Sequence, residues 1–218
     1  MLPHKGNNFF YLLFGLLILL LLAPIAAGRF DDTVAIAFTA TLLVSVWSLA
    51  RTRWAYYAGL TLAAVSVGIS VIEYGTAYPT LIVFSSGVTF AFCMLTMTIA
   101  LRDVVMRDRG VDANRLAGAV SVYLLMGLNW AIVFKFLTLV DPGAFTGLEG
   151  SSDQTFLHLL YYSFVTLTTL GYGDISPVSP VARALAYLEA VSGVMYVAIL
   201  VASLVGSFGS GSDRTSES

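Results

Sequence analysis

The sequence predicts an all-α integral membrane protein with six transmembrane helices and one shorter apolar helix that enters the membrane between spans five and six. Of its 218 residues, 58% are hydrophobic and 11% are charged, whereas soluble domains average about 25% charged residues. The apolar residues fall into uncharged runs long enough to cross about 30 Å of hydrocarbon as helices. With a formal net charge of −2, the chain is not expected to be a soluble enzyme, a disordered chain or a nucleic-acid-binding protein.

The predicted spans are the runs that approach the ~20 residues a transmembrane helix needs, in chain order 9–28, 33–50, 54–72, 78–101, 116–134 and 184–208. The last of them contains a single charge, Glu189. The run 156–167 is also apolar, but a helix of that length ends before it reaches the far side of the membrane. Such a re-entrant helix is followed by irregular backbone, which is tolerated at membrane depth only where protein or water surrounds it.

The distribution of Lys and Arg predicts the orientation, because cytoplasmic loops carry the excess of these residues. With the N-terminus inside, the outer connections contain Arg29 and Arg183, and the inner segments contain Lys5, Arg51, Arg53, Arg102, Arg107, Arg109, Arg115 and Arg214. We therefore expect a plasma-membrane protein with both termini in the cytoplasm. A cleaved signal peptide at the first apolar run is an alternative that charge bias does not distinguish.

The most informative stretch is residues 166–174, Thr-Leu-Thr-Thr-Leu-Gly-Tyr-Gly-Asp, which directly follows the short apolar helix. Two glycines separated by one residue allow alternating positive and negative φ, because glycine accepts φ > 0 without steric cost. In that conformation successive carbonyl oxygens can point to one side and replace the hydration shell of a monovalent cation. Four chains around one axis would close such oxygens into rings, whereas one chain would not.

This stretch resembles the potassium-channel pore family, whose filter motif is T-x-T-T-x-G-Y-G-D. The matching residues are Thr166, Thr168, Thr169, Gly171, Tyr172, Gly173 and Asp174, and Leu170 stands where valine is commonest. The resemblance implies a homotetramer that binds K⁺ and no organic cofactor. The implied ion ligands are the carbonyls of Thr169, Leu170, Gly171 and Tyr172 and the Thr169 hydroxyl. The Leu170 side chain is expected to face away from the pore, into packing behind the filter.

The resemblance assigns supporting roles outside the filter as well. Tyr161 and Tyr162 occupy the family's positions for an aromatic cuff around the filter, within reach of Tyr172 and Asp174, although they could equally form an ordinary helix surface. Gly193 falls where the family has the hinge of its inner helix, although glycine is also frequent in membrane helices in general.

Two charges lie at similar depths in the predicted spans. At 1.5 Å per residue, Lys135 lies roughly 9 Å below the outer end of span five and Glu189 about 12 Å below the start of span six. Because an unpaired charge in hydrocarbon is costly, we hypothesise a buried ion pair between them. In the alternative, Lys135 extends outward and Glu189 is protonated or bonds to the pore helix.

Four segments follow from these patterns: a four-helix transmembrane region at 1–101, a cytoplasmic interfacial linker at 102–115, a pore domain at 116–206 and a disordered tail at 207–218. A voltage sensor needs arginines along the fourth span, because each charge moved contributes about 2.3 kcal/mol per 100 mV. Residues 79–101 contain no Lys or Arg. The first four spans are therefore predicted to surround the pore without sensing voltage.

The predicted function is passive, potassium-selective conduction by a homotetramer that is insensitive to voltage and contacts only lipids and its own copies. We expect no nucleic-acid partner, no soluble ligand and no enzymatic activity, because no nucleophile, base and metal set lies at matched depth. Two alternatives stay open at this point. The channel would be weakly selective among cations if Leu170 distorts the rings, or the chain would be a non-conducting membrane scaffold that retains a relic pore.

Overall fold

The computed structural model describes residues 9–26, 57, 60–62, 64–65, 68, 79–106, 112–148 and 152–212. Within these residues the fold is mostly helical, and its elements in chain order are α1 (Phe9–Ala26), α2 (Pro79–Met106), α3 (Ala113–Val140), β1 (Phe145–Thr146), α4 (Ser152–Leu167), β2 (Ser176–Pro177) and α5 (Pro180–Ser212). The second predicted span and most of the third lie outside the described residues. The six-span count is therefore a prediction that these helices do not test.

Two of the described helices, α3 over Ala113–Val140 and α5 over Pro180–Val205, are long and apolar enough to cross a membrane. The apolar parts of the other helices are shorter, at Phe9–Leu22, Ser86–Arg102 and Thr155–Leu167. Helix α4 has 16 residues and is therefore about 24 Å long, less than the ~30 Å of a hydrocarbon core. Its length fits the short helix predicted between the last two spans.

Helix α3 lies at the centre of the described fold and packs against α1, α2, α4 and α5. Of its most apolar stretch, 61% is buried, against 11% for the corresponding stretch of α5. The residues that form its core face are mostly aliphatic and small: Ala117, Ala119, Val122, Leu125, Leu128 and Ala131. Because α5 is covered so little by its own chain, most of its apolar surface is available to lipid or to other copies.

Side-chain hydrogen bonds at the first turn of α3 attach the two preceding helices to it. Asp112 caps α3 by accepting from the Arg115 amide at 2.7 Å. The Arg115 Nε donates to the Val104 carbonyl near the end of α2 at 2.8 Å. The Asn114 Oδ1 accepts from the Phe9 amide at the start of α1, also at 2.8 Å. The Phe9 amide of α1 and the Val104 carbonyl of α2, which lack partners within their own helices, thus bond to side chains of α3.

The ends of α2, α3 and α5 fall within two segments that were predicted from the sequence, the linker and the C-terminal tail. Within the predicted linker, residues 102–106 and 113–115 are helical, because α2 continues to Met106 and α3 begins at Ala113. The tail predicted from residue 207 is also shorter, because α5 continues to Ser212. A helix that has already formed extends at low cost, one hydrogen bond per added residue, which a composition-based boundary does not capture.

A two-residue antiparallel ribbon ties the loop after α3 to the segment that follows residue 174. Phe145 pairs with Pro177 and Thr146 with Ser176, and the Ala144 carbonyl accepts from the Val178 amide at 2.8 Å. Gly147 has φ +80, and a Cβ added there would overlap the Asp174 carbonyl oxygen. The chain on either side of the motif is therefore held in place by backbone contacts.

Candidate functional site

The backbone of the motif that follows α4 alternates in conformation. Thr169 (φ 60), Gly171 (φ 60) and Gly173 (φ 79) have positive φ, at every second position. The alternation expected from the two glycines is therefore present. It also extends back to Thr169, a non-glycine residue for which positive φ is uncommon. Continuing the glycine period by two residues would have identified this position from the sequence.

The amide groups of this segment point back at α4. Their hydrogen bonds run from Thr169 N to Thr166 O (2.9 Å), from Leu170 N to Val165 O (2.9 Å) and from Gly171 N to Val165 O (3.2 Å). Because a trans peptide unit is planar with its C=O opposite its N–H, and the described chain has no cis peptide, the carbonyls of Thr168, Thr169 and Leu170 point away from α4. Two of the four predicted ion-binding carbonyls, those of Thr169 and Leu170, are among them.

The threonine side chains of the motif divide by position. The Thr168 Oγ1 donates to the Phe164 carbonyl at 2.7 Å and so satisfies the end of α4. The Thr166 hydroxyl is hydrogen-bonded to Tyr162. Thr169 is exposed in the single chain, in keeping with the proposed use of its hydroxyl as an ion ligand.

The outer half of the motif is open on one side. Tyr172 is 67% exposed, and Leu170 is 56% exposed. That the Leu170 side chain faces away from the pore stays a prediction. A Cβ added at Gly171 or Gly173 would meet no atom of the other described residues within 4 Å. The Ser176 Oγ donates to the Gly173 carbonyl at 3.1 Å. The motif is therefore supported by its own chain on the α4 side and uncovered on the other.

The two tyrosines predicted as a cuff have different surroundings. The rings of Tyr161 and Tyr172 stack with centroids 6.5 Å apart and planes 7° apart, and the Tyr161 hydroxyl is hydrogen-bonded to Asp174. Tyr162 is buried and packs edge-on against Phe134 and Phe145, each at 5.2 Å. Tyr162 is therefore core in this chain, because neighbouring positions on a helix point about 100° apart.

Glu189 is fully buried in the described chain, and its partner is not Lys135. Its Oε1 lies 2.5 Å from the Oγ of Ser163 on α4, and its Oε2 has no hydrogen-bond partner among the described residues. The Lys135 Nζ lies over the ring of Phe156, 5.5 Å from the centroid. The predicted ion pair is thus wrong. The alternative that Glu189 bonds to the pore helix is confirmed, because the Ser163 hydroxyl of α4 lies beside its carboxyl group and the Lys135 ammonium of α3 lies over Phe156.

Gly193 of α5 lies against the end of α4. A Cβ added there would overlap the Leu167 carbonyl oxygen. The Tyr123 hydroxyl donates to the same oxygen at 3.3 Å, and the Tyr196 hydroxyl on α5 donates to the Ala119 carbonyl at 2.7 Å. The structure thus gives Gly193 a packing role that the sequence did not predict, whereas its role as a hinge stays a prediction.

Sequence reasoning also missed Ser163, the partner of Glu189. Ser163 is one helical turn before Leu167, as Glu189 is one turn before Gly193. A polar residue one turn before a contact on each of two apolar helices would have indicated that Ser163 and Glu189 are partners. Among the described residues, no group of three or more His, Cys, Asp or Glu side chains is placed to hold a metal ion.

Comparison with known proteins shows similarity to ion channels over residues 120–208. Residues 120–208 match the family model described as "Ion channel". Over 90 residues the chain is 34% identical to the protein LctB of Bacillus caldotenax, covering 39% of this chain and 66% of LctB. It is also 34% identical to the two pore potassium channel c of Oryza sativa subsp. japonica over 83 residues, covering 38% of this chain and 16% of that protein.

A third similarity is to the A-type voltage-gated potassium channel KCND3 of Homo sapiens, 34% identical over 89 residues, or 39% of this chain and 13% of that protein. The chain thus spans less than two thirds of the length of each of these relatives. No solved structure matches the chain significantly. The apolar helices and the family model together identify an integral membrane protein. Residues 120–208, which contain the motif and most of both flanking helices, are thus similar to an ion-channel family and to potassium channels.

Proposed function

We propose that this protein is a potassium-selective channel in which four copies surround one axis and strip K⁺ of its water with backbone carbonyls. The ligands are the carbonyls of Thr169, Leu170, Gly171 and Tyr172 and the Thr169 hydroxyl. The observation that carries the proposal is the alternation of φ from Thr169 to Gly173, combined with amides that bond back to α4. Carbonyl rings of this kind replace the hydration shell of K⁺.

The homotetramer follows from what one chain lacks. A single chain contributes one carbonyl at each level of the filter, whereas a dehydrated ion needs several oxygens around it. The exposed side of the motif and the sparsely covered α5 supply the surfaces on which the other copies would pack. Helix α4 is a re-entrant pore helix whose C-terminal end directs its partial negative charge toward the ion path.

The same proposal makes the channel insensitive to voltage. Within α2, residues 79–101 carry no Lys or Arg, and Arg102 follows near the inner end. Without charges to move through the membrane field, α2 gains little energy from a change of potential. The protein lies in the plasma membrane with both termini in the cytoplasm, and opening occurs at the filter or by bending of α5 near Gly193.

The test is ion flux through purified protein in liposomes. We expect the wild type to pass K⁺ strongly over Na⁺. Gly173→Ala is expected to abolish the flux or its selectivity, because Gly173 has φ +79 and alanine rarely adopts that conformation. A Gly173→Ala protein that conducts as the wild type does would place the ion path elsewhere. A wild type that forms no tetramer and passes no ions would support the scaffold alternative.

A weakly selective cation channel is the second candidate, and one observation favours it. Leu170 replaces the commoner valine and is 56% exposed, so less than half of it is covered by its own chain. The discriminating variant is Leu170→Val, measured in the same flux assay. If the wild type already prefers K⁺ strongly, Leu170→Val changes the K⁺ over Na⁺ ratio by less than about threefold, because volume-reducing swaps of one methylene are mild. A wild type that passes both ions equally and becomes selective on this change would establish the second candidate.

A further inference from the structure

Helices α4 and α5 meet behind the filter at two points one helical turn apart. Glu189 contacts Ser163, and Gly193 lies against the carbonyl of Leu167. The spacing of four residues is the same on both helices, so they run in the same direction through this contact. Leu167 is the last residue of α4, and the filter follows directly. A shift of α5 would therefore displace the end of α4, where the filter begins, through these two contacts.

Ser163 has two oxygen neighbours and one proton. Its Oγ lies 2.5 Å from Glu189 Oε1 and 2.8 Å from the Gly127 carbonyl of α3. A hydroxyl donates one hydrogen bond and accepts others, whereas a carbonyl only accepts. If Ser163 donates to Gly127, the contact with Glu189 is a hydrogen bond only when the carboxyl group is the donor. An ionised carboxylate would leave two acceptors competing for one proton.

No ion pair joins Glu189 to another residue in the part of the chain that the structure describes. Glu189 and Ser163 are both fully buried, and the ammonium of Lys135 on α3 lies over the Phe156 ring. The titratable groups electrostatically coupled to Glu189 are phenols, Tyr123 of α3 and Tyr162 of α4. Burying a carboxylate without a cation or a full set of donors is expensive, whereas the neutral acid needs only an acceptor for its proton.

We propose that Glu189 is a positioning residue held as the neutral acid, which donates to Ser163, which in turn donates to the Gly127 carbonyl. This chain of two hydrogen bonds joins α5, α4 and α3 directly behind the filter. It fixes the rotation of α4 about its axis and thereby the Val165 and Thr166 carbonyls that hold the filter amides. Its effect on ion selectivity rests on the proposed function, whereas the protonation of Glu189 does not.

The first test compares Glu189→Gln with Glu189→Asp. Glutamine has the shape of the neutral acid and keeps a donor, but it carries no charge. Aspartate keeps the carboxyl group but withdraws it by one methylene. We expect Glu189→Gln to keep the K⁺ over Na⁺ flux ratio within about twofold of wild type, and Glu189→Asp to lower it about tenfold. A Glu189→Gln protein that fails to assemble or loses selectivity, beside a wild-type-like Glu189→Asp, would show that the charge is required and would overturn the proposal.

The second test reads the proton itself and does not depend on conduction. The infrared difference spectrum of wild type minus Glu189→Gln at neutral pH should contain the C=O stretch of a protonated carboxylic acid. In Ser163→Ala that band should move to higher wavenumber, because the acid loses its hydrogen-bond acceptor. A carboxylate band in place of the acid band would overturn the proposal. An acid band in a protein without K⁺ selectivity would leave the proposal standing and remove the proposed function instead.

Discussion

Polar contacts lie in different places in two regions of the molecule. One region is α1 and α2, called the front region; the other is the segment from α3 to α5, called the pore segment. In the pore segment, polar contacts link neighbouring helices in the interior, as Ser163 does with Glu189 and Gly127. In the front region, the polar contacts with α3 that involve Asn114 and Arg115 lie at helix ends. Family similarity follows the same division, because it covers residues 120–208 and not α1 or α2. Under the proposed function, the segment from α3 to α5 would carry the ion path, and α1 and α2 would surround it.

The strongest test of this division compares two glycines. Gly193→Ala is expected to destabilise the protein by about 1–3 kcal/mol, the usual cost of overpacking, because its Cβ would overlap the Leu167 carbonyl next to the filter. K⁺ flux should fall about tenfold with it. The measurement is thermal unfolding in detergent beside flux in liposomes.

The matched control is Gly87→Ala in α2, where a Cβ would meet only the Phe136 ring, at 4.0 Å. This variant should unfold and conduct as the wild type does. Should Gly193→Ala keep its thermal stability and lose only channel opening, Gly193 would be a hinge and the packing role would be refuted.

A smaller effect is expected where α1 joins α3. Asn114→Ala removes the acceptor of the Phe9 amide, which should cost about 1 kcal/mol of unfolding free energy. The K⁺ over Na⁺ ratio should stay unchanged, because the contact is far along α3 from the filter.

Asn114→Asp serves as the control for this prediction, since it keeps an oxygen at the same place and should be nearly as stable as the wild type. A loss of selectivity in Asn114→Ala would contradict the division of roles, because it would couple the front helices to the ion path.

The smallest expected effect is the change of open probability with membrane voltage. Because residues 79–101 contain no Lys or Arg, the open probability in a planar bilayer should change less than about twofold between roughly −100 and +100 mV. A steep change would mean that charges elsewhere in the chain move through the field, and it would contradict the assignment of α1 and α2 to a role without voltage sensing.

The filter was the most predictable part of the site, because its conformation depends on local backbone chemistry. The spacing of Gly171 and Gly173 predicted the alternation of φ, and only its extension to Thr169 was missed. The helical character of the chain followed as directly from its uninterrupted apolar runs.

Contacts between helices were predicted less well, because depth along a helix does not determine the direction in which a side chain points. Lys135 and Glu189 lie at similar depths, yet α4 supplies the partner of Glu189 through Ser163. Of the two tyrosines expected beside the filter, Tyr161 stacks on Tyr172, whereas Tyr162 is buried against Phe134 and Phe145. In spans that are apolar on all sides, periodicity does not identify the packed face.

The Val165 carbonyl accepts two successive filter amides, those of Leu170 and Gly171. If either peptide plane turned over, its oxygen would come to face the Val165 oxygen, and its N–H would take its place beside the ions. Because both planes are anchored to one atom, their orientations are coupled through the position of the Val165 carbonyl. Under the proposed function, an occluded form would therefore be expected to lose two adjacent coordination levels together, with an abrupt drop in conductance in place of graded substates.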